Sequence, residues 1–97
     1  MIKRTRARIR FASYVRESFV EADGDSDVAM TKFEEKVTNF GLDPATIIWL
    51  VKLAYEIYKL WQSLDIEASD AAHADIPRDI MRQTDDERID AMGEVAL

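Results

Sequence analysis

Four arginines stand at alternate positions near the N-terminus: Arg4, Arg6, Arg8 and Arg10. Guanidinium is permanently charged and carries five donors in a rigid fork, so such a row suits phosphate or carboxylate partners. Thr5, Ala7, Ile9 and Phe11 fill the positions between and after them. Period two predicts an extended arm or edge strand with the guanidiniums on one face. A helix stacking Ile9, Ala12, Val15 and Phe19 is the competing reading, and a short helix is expected over residues 12–22 in either case. Residues 1–16 hold six basic residues and no acid, whereas residues 65–97 hold ten acids against Arg78, Arg82 and Arg88. This asymmetry predicts that the arm meets a polyanion or an acidic surface. The leading partner is the protein's own acidic body, within one chain or between copies. An external protein and nucleic acid follow.

Other candidate chemistry is sparse. Asp23, Asp25, Asp27 and Glu34 occupy positions 1, 3, 5 and 12 of an EF-hand-like loop, but Val28 then stands where glycine is needed. Starting two residues earlier puts Gly24 at position 4 and Val28 at position 8 but Lys32 at position 12, where a bidentate acid is needed; helix capping explains these acids better. His73 lies among alanines and acids with no Ser or Cys nucleophile in recognisable context. Trp49, Tyr55, Tyr58 and Trp61 suit a core or interface better than a base-stacking platform. No glycine-rich phosphate loop and no spaced carboxylate pair occurs. No catalytic, metal or cofactor-binding residue is therefore expected, and an enzyme is not expected.

The elements that position these residues are mostly helical. A helix is expected over about 28–40, with Met30, Phe33, Val37 and Phe40 on one face and Gly41 ending it. Leu42-Asp43-Pro44 reads as the start of the next, with Asp43 as cap and Pro44 at the first helical position. That helix runs to about residue 64. Only Lys52, Glu56, Lys59 and Ser63 form a polar stripe along it, so its apolar arc must be covered on several sides. Trp49, Leu50, Leu53, Ile57, Leu60 and Trp61 are accordingly the expected interface with another copy or a larger complex. Charges near and past the middle argue against a membrane span. Residues 65–97 read as an acidic linker and a weakly helical tail. Thr84-Asp85-Asp86-Glu87 forms a capping box there, Ile89, Met92 and Val95 are the apolar positions that follow, and Gly93 weakens the helix. Such a tail is mobile unless a partner orders it.

With 97 residues, no cysteine, one histidine, three glycines and two prolines, the chain is one small domain without disulfides or thiolate metal sites. The expected fold is mainly α: a basic arm (1–22), extended or β-like at its start, a helical hairpin module (23–64, helices about 28–40 and 44–64), and an acidic linker and tail (65–97). A basic β-like arm followed by two helices resembles the ribbon-helix-helix repressors. The acidic stretch 17–27 and the strongly apolar second helix depart from their pattern, and no residue role is carried over. No continuous apolar run follows the N-terminal cations, so a cytoplasmic location, or one in a virion or similar particle, is expected. The functional expectation is a small non-enzymatic structural protein that self-associates or docks on a larger complex, such as a minor virion component. The alternative is a nucleic-acid-binding regulator using the arginine arm.

Overall fold

The computed structural model describes residues 2–94, in which the chain is mainly helical and forms no strand. The helices are α1 (Lys3–Glu21), α2 (Ser26–Thr38), α3 (Pro44–Ser63), α4 (Ala68–Ala71) and α5 (Arg78–Gln83), followed by a 3-10 helix (Glu87–Gly93). Val95 lies outside the described residues.

The N-terminal arm is helical from Lys3 onward, not extended. Alternation of arginine with Thr5, Ala7, Ile9 and Phe11 over residues 4–11 fits both periods, and burial decides between them. No glycine or proline interrupts residues 1–22, and arginine and alanine favour helix. Ala7, Phe11, Val15 and Phe19, spaced by four, then form one fully buried stripe. Phe11 meets Phe33 of α2 edge-on at 5.6 Å. A strand would also put Ala7 and Phe11 on one face, so spacing alone does not separate the two readings.

Helix α2 begins at Ser26, where the Asp25 carboxylate accepts from the backbone N–H groups of Asp27 and Val28, both at 3.0 Å. Replacing Asp25 with Ala removes these bonds and is expected to cost about 1 kcal/mol. A urea melt of the variant checks this. Gly41 adopts φ +70° in the turn before α3, a conformation that costs glycine nothing. Helix α3 begins at Pro44 with Asp43 as the flanking residue. The Asp43 carboxylate accepts from the Thr46 hydroxyl and caps no backbone N–H.

Helix α3 packs against α2, and Val15 and Phe19 of α1 meet its C-terminal half. Phe19 stacks on Tyr58 at 5.6 Å and meets the Trp61 ring edge-on at 5.3 Å. The Tyr58 hydroxyl donates to the Val15 carbonyl at 2.9 Å. Leu50, Leu53, Ile57 and Trp61, expected at an interface, are therefore buried within the chain itself. Reading the arm and the acidic tail as separate segments leaves out the packing of Phe19 on Tyr58 and Trp61 and the entry of Ile89 and Met92 into the same core. Trp49 is half-buried beneath the Arg88 guanidinium, which lies 4.0 Å from its ring centre. Of the six expected interface residues, Leu60 alone is exposed.

The C-terminal segment is ordered against α1. Ile80, Ile89 and Met92 are buried in the same core as Phe11 and Val15. The expected capping box does not form. The Thr84 hydroxyl donates back to the Met81 carbonyl at 2.7 Å and closes α5. Asp86, not Thr84, caps the 3-10 helix, accepting from the Arg88 N–H at 2.9 Å.

Candidate functional site

The arginines of α1 converge on this C-terminal segment. On a helix the row divides, because Arg4 and Arg8 are four apart on one side and Arg6 and Arg10 four apart on the other. Arg4 Nε donates to Asp90 Oδ1 at 3.1 Å, and its Nη1 lies 3.5 Å from Asp85 Oδ1. Arg8 Nη2 donates to the Met81 carbonyl at 2.8 Å. On the other side, Arg6 Nε donates to the Gly93 carbonyl at 2.8 Å, and Arg10 Nη1 to the Met92 carbonyl at 2.6 Å. Arg10 is buried, with its guanidinium 5.4 Å from the Phe40 ring centre. Further along α1, Arg16 Nε donates to the Ala74 carbonyl at 2.9 Å. Lys3 pairs with Glu94 at 3.6 Å.

The bonds of Arg6, Arg8 and Arg10 to backbone carbonyls share one physical origin. The last four carbonyls of any helix lack intrahelical partners. Helices of four, six and seven residues are nearly all end. Met81 lies in the last turn of α5, Met92 and Gly93 close the 3-10 helix, and Ala74 follows α4. A cation at a helix C-terminus also opposes the partial negative charge there. Arg6 and Arg10 thus partner carbonyls at the end of the 3-10 helix, and Arg8 adds a donor to the Met81 carbonyl that Thr84 also meets.

Gly93 lets the segment lie this close. A Cβ at position 93 would overlap the Lys3 carbonyl, 2.6 Å from its carbon, and would stand 2.9 Å from the Ala7 amide nitrogen. Sequence reasoning registered Gly93 only as weakening a helix. An isolated glycine in a helical pattern is also the signal of close backbone approach.

The acids of the 23–27 loop serve local structure through Asp25, while Asp27 accepts from the Tyr55 hydroxyl at 3.2 Å. His73 is exposed in the turn after α4. Arg88 donates to Asp86 at 3.0 Å and holds that carboxyl below its usual range. Burial pushes the Tyr58 phenol well above its ordinary value. The unfolded chain loses this proton from about pH 10, and the folded chain only later. Stability is therefore intact below about pH 10 and falls as pH rises further, because the folded state then holds more protons. Urea midpoints at pH 7 and pH 11 check this. Tyr58→Phe should shrink the alkaline drop while costing about 1 kcal/mol at pH 7 through the lost bond to Val15.

Seventeen of the 19 acidic residues are exposed, against six of the 13 basic ones. The outer surface is thus strongly acidic, while α1's arginines lie half-buried or buried beneath the C-terminal segment. No helix among the described residues is long and apolar enough to cross a membrane. Comparison with protein-family models, with curated proteins and with solved structures gave no match.

Proposed function

We propose that this protein is a small non-enzymatic component of a protein assembly, acting by self-association or by docking on a larger complex. The observation that carries the reading is the engagement of the arginine row by the chain's own C-terminal segment. Nucleic acid would have to displace that segment, and it would approach a surface whose exposed acids outnumber exposed bases. Among the described residues, four of the five buried polar side chains have structural tasks: Arg10 and Thr84 bond the tail, Ser26 donates to Gln62 at 2.5 Å and Thr46 donates to Asp43, the fifth being Ser18. Core formation consumes Leu50, Leu53, Ile57 and Trp61, so contact with partners falls to residues left outside. These include Ile9 and Val20 on α1, Ile48 and Leu60 on α3, and Leu64 just after it.

Light scattering coupled to gel filtration, with the 260/280 nm absorbance ratio, tests the reading. The expected result is a species larger than 11.1 kDa and free of nucleic acid. Co-purified nucleic acid, or submicromolar binding of duplex DNA or RNA at physiological salt that falls steeply as salt rises, would overturn it.

A further inference from the structure

The solvent face of α1 and its N-cap carries an apolar line that none of the described residues covers. Ile2, Ile9 and Val20 are 72%, 42% and 40% exposed. At ~100° per residue they fall, with Ser13 and Arg16, within roughly 60° of one another. The line is about 27 Å long at 1.5 Å per residue. Three shallow depressions run end to end along it, bordered by Asp85 and Asp90, then Met81 of α5, then Ala72 after α4. Ala12 and Ser13 lie at its middle, so the surface is lowest there.

We infer that this face of α1 pairs antiparallel with α1 of a second copy. The argument is charge complementarity. Residues 1–16 contain no acid, and residues 17–31 contain Glu17, Glu21, Asp23, Asp25 and Asp27 with no Lys or Arg. The bonds of Arg6, Arg8 and Arg16 described above end on neutral oxygens, so they satisfy donors without cancelling charge. Lys3 and Arg4 are offset by Glu94, Asp85 and Asp90, and Glu21 by Lys36, so the excess charge along the stripe is cationic at Arg6 and Arg8 and anionic at Glu17 and Asp23. A parallel second copy would set like on like, whereas an antiparallel one sets each cationic half on an acidic half. Placing Ile9 on Val20 of the second copy brings Arg6 and Arg8 beside Glu21 and Asp23 of that copy. Ser13 then meets the Arg16 stem at the centre. The arrangement is two-fold and closes at a dimer. It rests on the self-association reading and names the surface that carries it.

Sedimentation equilibrium of the full chain from about 1 µM to about 1 mM, at physiological salt, tests this. Both key residues are exposed, so Ile9→Glu and Val20→Lys should keep the helical circular dichroism of wild type. Each is expected to weaken the dimer at least about tenfold, since each loses an apolar contact and adds like charge. The Ile9→Glu/Val20→Lys double variant restores an opposite pair at both symmetric positions and should recover most of that loss. A wild-type dimer that neither single variant weakens places the interface elsewhere and overturns this inference alone. Single losses without recovery in the double variant overturn the antiparallel register. A folded wild-type chain that stays monomeric to 1 mM and forms no larger complex overturns both the inference and self-association.

Discussion

Gly93→Ala is expected to cost about 3 kcal/mol or more, although it adds a single methyl group. The added carbon would overlap the carbonyl of Lys3 and crowd the amide of Ala7. Both are backbone atoms inside α1, so no rotamer change relieves the contact. Either the start of α1 shifts or the 3-10 helix lifts away. Lifting would stretch the 2.6 Å bond from Arg10 to Met92 and the 2.8 Å bond from Arg6 to Gly93. It would also loosen Met92 and Ile89, both fully buried. For a chain of this size each kcal/mol lowers the melting temperature by roughly 4–8 °C. A drop of at least about 12 °C is therefore expected, with faster amide exchange concentrated in residues 78–94. Melting unchanged within about 2 °C would mean that the segment does not lie on α1 as described.

Trp61→Ala is expected to cost about 4 kcal/mol, a large part of the 5–15 kcal/mol that holds a typical domain together. Trp61 is 1% exposed and packs against Phe19 and Tyr58. Truncation leaves a hole bounded by rigid rings that cannot collapse to fill it. The neighbouring Leu60, exposed on the same helix, should tolerate alanine within about 0.5 kcal/mol. The pair separates a core role from an interface role for Trp61. A core residue shifts the denaturation midpoint by the same amount at every protein concentration. An interface residue mainly changes how the midpoint varies with concentration. Concentration-independent loss is the expected outcome for Trp61→Ala.

How much of this was legible depended on how local each signal was. The ends of α2 and α3 are marked by Asp25, Gly41 and Pro44, whose effects reach only a few residues. The sequence accordingly placed helices at about 28–40 and 44–64, where the structure has 26–38 and 44–63. The start of α1 was not legible in that way. Arginine and apolar residues alternate over Arg4–Phe11, and only burial of Ala7 and Phe11 beneath the C-terminal segment and α2 favours the helix. The interface reading fails because that face is shared out within the chain: α2 packs on α3, Val15 and Phe19 reach Tyr58 and Trp61, and Ile89 and Met92 join the same core, so Leu50, Leu53, Ile57 and Trp61 are buried. At the arginine face, charge asymmetry pointed to the chain's own acidic body as one partner of the row. It could not point to the acceptors, because most are backbone carbonyls, which every residue has. Asp85 and Asp90, which pair with Arg4, lie more than 80 residues away in sequence.

The central claim is that the arginine row of α1 is held by the chain's own C-terminal segment. The most direct measurement is NMR of the arginine side chains in the full-length protein. The Nε–H protons of Arg6 and Arg16 donate to the carbonyls of Gly93 and Ala74. They should give resolved resonances with slowed solvent exchange, and that of Arg6 should show contacts to the protons of Gly93 and Glu94. Because the acceptors are neutral and the contacts half-buried, about 0.5 M salt should leave these signals in place, unlike a screened surface ion pair. Averaged, fast-exchanging arginine signals with no contact to residues 74 or 92–94 would contradict the account and return the row to the outside of the protein.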